Sequence, residues 1–235
     1  MAAHCVAFIF ARGGSKGLPR KNVKPLAGIP LIGHAVKTAL ATRGIARCIV
    51  STDDPEIAET AKAFGAEVPF MRPAELATDQ ASEWLAWRHA ISFLKERGEP
   101  IDVFVSVPTT APLRLPEDVE ACLADFAKGG ADIVVTVTEA RRSPYFNMLT
   151  VAADGAAELV IKPSTTVVGR QAAPPVYDMT TVAYVADPGH ILHAKGVWDG
   201  RVRAVVIPPE RAVDIDTELD FRFAELLMAE RAKKG

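Results

Sequence analysis

An apolar run, Val6 to Phe10, empties into Ala11-Arg12-Gly13-Gly14-Ser15-Lys16-Gly17-Leu18-Pro19-Arg20-Lys21-Asn22, and this stretch constrains the chain more than any other. A short uncharged run that stops at a glycine cluster reads as a buried strand feeding a loop. Gly13, Gly14 and Gly17 let the backbone take positive φ and bring its N–H groups against an anion without side chains in the way. Arg12, Lys16, Arg20 and Lys21 put four cations into ten positions with no acid among them. The expected guest is therefore strongly anionic, a triphosphate by charge. No Gly-Lys-Ser/Thr follows a four-residue spacer, so this is not a Walker A loop. The G-x-G-x-x-G order of a dinucleotide fingerprint is also absent, and Pro19 and Pro25 stand where that fold starts its helix. Taken alone, the loop also admits a plainer reading as a basic turn after a first strand.

Beyond the loop, strand and helix signals alternate at short intervals. Leu31, Ile32, Ala35, Val36, Ala39 and Leu40 are spaced for an amphipathic helix opened by Pro30. Residues 48–51 read as a second strand and Thr52-Asp53-Asp54-Pro55 as a turn capping a helix over about 55–64, ended by Gly65. Glu67-Val68-Pro69 reads as a short third strand, and 82–97 as a helix closed by Gly98. Residues 102–107 and 131–137 are almost continuously apolar, as strands covered on both faces should be, with a helix from Pro116 to about 128 between them. Between 143 and 176 the rhythm breaks, and 143–149 and 158–161 read as short strands of a hairpin around Ala153-Asp154-Gly155. Residues 181–185 return as a strand, 188–194 as a short helix and 202–207 as a last strand. A closing helix over 217–231 is expected to turn Leu219, Phe223, Leu226 and Leu227 inward. The expectation is an α/β fold: one domain, 1–235, built as a three-layer sandwich on a mostly parallel sheet, with 143–176 inserted as an excursion.

A chain of 235 residues is long enough for a large core. Its 49% hydrophobic and 24% charged content is ordinary for a globular protein, and a net charge of −2 gives no reason to expect nucleic-acid binding. The first apolar run is too short to span a membrane and has no basic segment before it, so no membrane partner is expected and the cytoplasm is the expected location. Cys5, Cys48 and Cys122 are scattered, with no C-x-x-C pair, which argues for buried thiols over a disulfide framework or a zinc knuckle.

The loop, followed by Leu26-Ala27-Gly28-Ile29-Pro30-Leu31-Ile32, resembles the signature of the CMP-sialic acid synthetase (acylneuraminate cytidylyltransferase) family, which activates nine-carbon acidic sugars. The resemblance implies a Rossmann-like nucleotidyltransferase sandwich. It implies CTP and an acidic 2-keto sugar as partners, a CMP-sugar and pyrophosphate as products, and a homodimer with contacts in the 143–176 region. An eight-carbon acceptor such as Kdo, or a CTP-binding protein without turnover, are the alternatives.

The site residues follow partly from chemistry and partly from that resemblance. Attack of a sugar oxygen on the α-phosphorus needs charge neutralisation and positioning, which Arg12 and Lys21 would supply as catalytic cations. Ala11, Gly13, Gly14, Ser15 and Asn22 would hold phosphate oxygens around them, with Lys16 and Arg20 as further loop cations. The segment from Arg72 to Ser82 resembles the family's nucleotide-binding Arg-Pro stretch, while Ser82 by itself also reads as a plain helix N-cap. Asp214 and Asp216, at i and i+2 on an extended segment, point to one side and can grip a hard divalent cation, or Asp216 can cap the helix that follows. The stretch from Arg211 to Glu225 is similar to the family's metal-binding segment, and carboxylates with phosphate oxygens suit Mg2+. The acceptor side departs from the pattern. Val107 stands where the family places a sugar-contacting Gln, ahead of Thr109, and Thr180 and Thr181 replace Asn-Gly. Arg170 matches a family Arg that can pair with the acceptor carboxylate. Val107, Thr109, Arg170 and Thr180 are thus the sugar-side candidates.

Overall fold

The opening apolar run forms β1 (Cys5–Phe10), buried over almost its whole length. In this computed structural model, which describes residues 3–15, 17–163 and 169–234, a tight hairpin of β2 (Pro25–Leu26) and β3 (Ile29–Pro30) follows the loop. Then come α1 (Leu31–Ala41), β4 (Ile45–Ser51), α2 (Pro55–Ala63), α3 (Glu83–Glu96), β5 (Val103–Ser106), α4 (Pro116–Phe126) and β6 (Ile133–Glu139). The second half holds β7 (Leu149–Val151), β8 (Ala157–Leu159), β9 (Tyr177–Ala186), α5 (Pro188–His193), β10 (Val202–Val206) and α6 (Glu218–Lys234). Six strands make the main sheet in the order β10-β6-β9-β5-β1-β4, with β9 antiparallel to both neighbours and every other pair parallel.

Side-chain alternation along β1 builds two cores. Ala7 and Ile9 face α1, α2 and α4, packing with Ile32, Val36, Ile57 and Val119. Val6 and Phe8 face the opposite side, where Trp84, Trp87, Ile91 and Leu94 of α3 and Ile191 of α5 cover them. This is the expected three-layer α/β sandwich. The helices begin where their caps dictate. Asp54 accepts from the N–H groups of Glu56 and Ile57 at 2.8 and 3.2 Å, with Pro55 at the first helical position. Ser82 accepts from Trp84 N–H at 3.3 Å at the head of α3. Ala27 and Gly28 take φ of 50° and 79°, the positive pair that a two-residue hairpin turn requires between β2 and β3.

Four expectations need correction. The segment 67–69 makes only a single bridge, Glu67 to Ile49, because Pro69 cannot donate to a ladder. The excursion is a hairpin, but its strands are β7 and β8; residues 143–148 form a turn closed by Asn147 on Ser143 N–H at 2.7 Å. β9 begins at Tyr177, four residues before the expected start. Finally, α6 carries two apolar stripes, and periodicity cannot choose between them. Phe221 and Ala224 are the buried pair, with Leu227 and Met228 packed beside them, whereas Leu219, Phe223 and Leu226 are exposed. Phe221 wins because it completes a third cluster with Leu18, Leu26, Leu31, Leu113 and Ile215 directly beneath the loop.

All three cysteines are free and buried, and burial pushes the Cys48 and Cys122 thiols up to about 12, which makes them inert packing groups. No helix among the described residues is long and apolar enough to cross a membrane.

Candidate active site

The glycine loop leaves β1 at the carboxyl edge of the sheet, where open α/β folds bind their ligands. Ala11 is buried and its N–H donates to Ser51 O at 3.1 Å, so the loop departs from a fixed point. Gly13 N–H donates to Asp53 Oδ1 at 3.0 Å, and a Cβ on Gly13 would come within 2.8 Å of the Asp54 carboxylate. Glycine is needed there for the loop to lie against the turn after β4. Ser15 N–H closes on Gly13 O at 3.2 Å, and Gly14 is exposed. Asn22 is buried and ties loop to sheet: its Nδ2 donates to Arg12 O at 2.9 Å and its Oδ1 accepts from Thr109 Oγ1 at 2.6 Å.

Nearly two hundred residues later, the chain comes back to close this loop. Gly17 lies so near the Asp216 backbone that a Cβ would stand 2.4 Å from the carbonyl oxygen. Lys21 Nζ donates to Ile215 O at 2.7 Å and to Asp216 Oδ1 at 3.0 Å. Ile215 N–H in turn donates to Thr110 O at 2.8 Å, and the buried Ile215 side chain fixes the extended segment so that Asp214 and Asp216 both reach the surface. Together these elements enclose a cavity of about 310 Å3 lined by Arg12, Ser15, Gly17, Lys21, Asn22, Thr109, Thr110 and Asp216 over the ring of Phe10.

A second cavity, of about 250 Å3, shares Phe10 and Arg12 with the first and continues to Arg72, Leu76, Thr78, Asp79, Ala81 and Glu83. Arg72 is buried there. Its Nη2 donates to Ser51 O at 2.5 Å and its Nε to Ser51 Oγ at 3.1 Å, and its guanidinium carbon lies 5.7 Å from the Phe10 ring centroid. Burial lowers the pKa of Arg72, opposed by the nearby Glu83 and Asp53 charges. Enclosure in the cleft wall raises that of the Glu83 carboxyl, although the residue as a whole still reaches solvent; Trp87 Nε1 donates to it at 3.1 Å. Arg12 spans the two cavities and pairs with Asp79 at 2.7 Å.

The structure therefore brings together Arg12, Ser15, Lys21, Asn22, Arg72, Thr109 and Asp216, with Asp214 linked to the cavity-lining Thr110 by two hydrogen bonds through Thr181. Ser82 serves as the α3 cap; its neighbours Ala81 and Glu83 line the cleft. Arg20 turns away, pairing with Asp54 at 2.9 Å and with Glu56. Two sugar-side candidates lie away from the cavities. Val107 is fully buried in the α1–α4 core, because alternation from Val105 along the sheet sends its side chain inward. Thr180 is buried too, its Oγ1 donating to Thr136 Oγ1 at 2.8 Å. Lys16 and the Arg170 side chain lie outside the described residues.

Sequence reasoning missed Phe10, Asp79, Glu83 and Thr110 as members of this neighbourhood. Phe10 was legible, since the last residue of a strand that ends in a ligand loop lies at the site edge. Asp79 and Thr110 sit on connections whose path no periodicity predicts, and Glu83 is the first residue of α3.

Two carboxylates fit a magnesium ion that keeps water and substrate phosphate as its remaining ligands. Among the described residues no group of three His, Cys, Asp or Glu is placed to hold a metal ion. Asp214 Oδ1 accepts from Thr181 Oγ1 and Asp216 Oδ1 from Lys21 Nζ.

A family model described as cytidylyltransferase matches residues 6–196. A post-translational flagellin modification protein B from Campylobacter coli is 32% identical over 224 residues, spanning 95% of this chain and 94% of that protein. The CMP-N,N'-diacetyllegionaminic acid synthase of Campylobacter jejuni is 30% identical over 228 residues, spanning 97% and 96%. Among solved structures, CMP:2-keto-3-deoxy-manno-octonic acid synthetase complexed with CTP matches with a TM-score of 0.71 at 19% identity, over 97% of this chain and 100% of that one, a likeness of fold. With a family model matched over most of its length and relatives aligned nearly end to end, the chain belongs to the cytidylyltransferase family.

Proposed function

We propose that the protein transfers CMP from CTP to an acidic 2-keto sugar of the nonulosonate type, releasing pyrophosphate. One observation carries this reading: a glycine loop with Arg12 and Lys21 and the Asp214–Asp216 segment meet around a single cavity, beside a second one walled by Phe10 and Arg72. The relatives named above supply the substrate class, the C. jejuni protein being a CMP-N,N'-diacetyllegionaminic acid synthase.

In this mechanism CTP lies across both cavities, its base toward Phe10 and Arg72 and its phosphates toward the loop. The free loop N–H groups and Ser15 hold phosphate oxygens. Arg12 exchanges Asp79 for phosphate, and Lys21 neutralises charge that moves onto pyrophosphate as it leaves. The acceptor hydroxyl oxygen forms its bond to the α-phosphorus, the bond from that phosphorus to the bridging oxygen of pyrophosphate breaks, and the hydroxyl proton departs to solvent. Mg2+ held by Asp214 and Asp216 would add charge stabilisation on the phosphate oxygens. Fixed positioning and neutralisation, rather than covalent participation, carry the rate.

The hairpin supports a homodimer. Leu149 and Val151 of β7 are 57% and 68% exposed, and Met148, Val160, Ile161 and Met179 extend the apolar surface. Three free, buried thiols support a cytoplasmic location.

A pyrophosphate-release assay with CTP and a panel of eight- and nine-carbon 2-keto acid sugars, including N,N'-diacetyllegionaminic acid, should show turnover with a nonulosonate; silence across the panel would refute the reading. Asp216→Asn should raise the Mg2+ concentration for half-maximal rate by about tenfold or more, and an unaltered metal titration would remove Asp216 from the metal site. Sedimentation at micromolar concentration should give the dimer mass, which a monomer would contradict.

A further inference from the structure

The cleft holds a polar group that none of the roles above employs, the hydroxyl of Thr110. Thr181 Oγ1 donates to Asp214 Oδ1 at 3.0 Å. An ionised carboxylate only accepts, so the single Thr181 proton is committed there. Thr110 Oγ1 lies 3.0 Å from Thr181 Oγ1 and must be the donor of that pair. Its one proton is thereby spent, and toward the cavity it has only lone pairs to offer. Thr110 lines the same cavity as Lys21, Asn22 and Asp216.

The backbone is built to hold this arrangement. On β6 the adjacent residues Val135 and Thr136 pair with Tyr184 and Thr180 of β9, so Thr181, Val182 and Ala183 form a bulge. Bulges beside active sites re-aim side chains. Here the bulge is stitched by the buried Thr136 hydroxyl, which accepts from Ala183 N–H at 3.2 Å and from Thr180 Oγ1 at 2.8 Å. The same hydroxyl lies 3.2 Å from the Thr180 and Ala183 carbonyls, between which its single proton is shared. The result turns Thr180 inward and Thr181 toward Thr110 and Asp214.

We propose that Thr110 is a specificity residue for the acceptor: its lone pairs bind a hydroxyl group of the sugar, and Thr181, aimed by the bulge, is the positioning residue that fixes their direction. This rests on the transferase reading above. An acceptor-only oxygen welcomes O–H and repels a carboxylate or phosphate oxygen. The cavity is thus divided, anionic groups going to the Arg12 and Lys21 side and a hydroxyl-bearing face of the sugar to Thr110. Val107 is in the core and the Thr109 hydroxyl donates to Asn22 Oδ1, whereas the Thr110 oxygen keeps its lone pairs for the cavity.

Steady-state kinetics of pyrophosphate release with CTP and the same sugar panel tests the proposal. Thr110→Val should raise KM for the sugar by about tenfold, the loss of one hydrogen bond with its partner left unpaired, while KM for CTP stays at the wild-type value. Thr110→Ser, which keeps the hydroxyl, should restore the sugar KM, and Thr181→Val should raise it to a smaller extent by freeing the Thr110 proton to rotate. An unchanged sugar KM in Thr110→Val overturns the proposal and leaves the transferase reading standing. Equal rises in both KM values overturn it as well, marking a structural role. If the wild-type enzyme releases no pyrophosphate with any sugar of the panel, the transferase reading fails and takes this proposal with it.

Discussion

The site depends on one close approach, Gly17 against the carbonyl of Asp216. No other residue type permits it, since a Cβ would stand 2.4 Å from that oxygen. The contact joins the loop after the first strand to a segment just before the last helix, and Lys21 reinforces it with bonds to Ile215 O and Asp216 Oδ1. Beneath it, Leu18, Ile215 and Phe221 share one apolar cluster, so burial of α6 and closure of the loop are the same packing event. Cations and carboxylates are thereby held at one cavity although the chain separates them by almost its full length.

This arrangement explains why so many of the site's charges are already paired with one another. Lys21 lies on Asp216, Arg12 on Asp79 and Arg20 on Asp54. A basic loop without partners would repel itself. Neighbouring carboxylates hold each cation in place at a modest gain typical of partly exposed pairs, which leaves the pairs readily exchanged for phosphate. Arg72 differs, being buried and bound to Ser51, and so forms a fixed wall of the second cavity.

The framework was legible because its signals are local. The buried runs of β1, β5 and β6, the caps at Asp54 and Ser82, and the glycine loop all follow from short-range rules of burial and backbone freedom. What sequence reasoning missed depends on how distant segments meet. Phe221 prevails over Leu219 and Phe223 only because the loop's Leu18 and the hairpin's Leu26 are there to receive it. Val107 disappears into the core because the strand's alternation continues past β5, and Thr181 reaches Thr110 and Asp214 because a bulge displaces the register. The loop side of the cavity, built on a contiguous motif, was therefore readable, and the threonine side, assembled from three segments, was not.

Calorimetric titration of Gly17→Ala with CTP in the presence of Mg2+ tests the closure of loop on acidic segment most directly. The account predicts affinity weakened by about tenfold or more, from overpacking at one contact, in a protein whose circular dichroism shows an intact fold. Wild-type CTP affinity in that variant would contradict it.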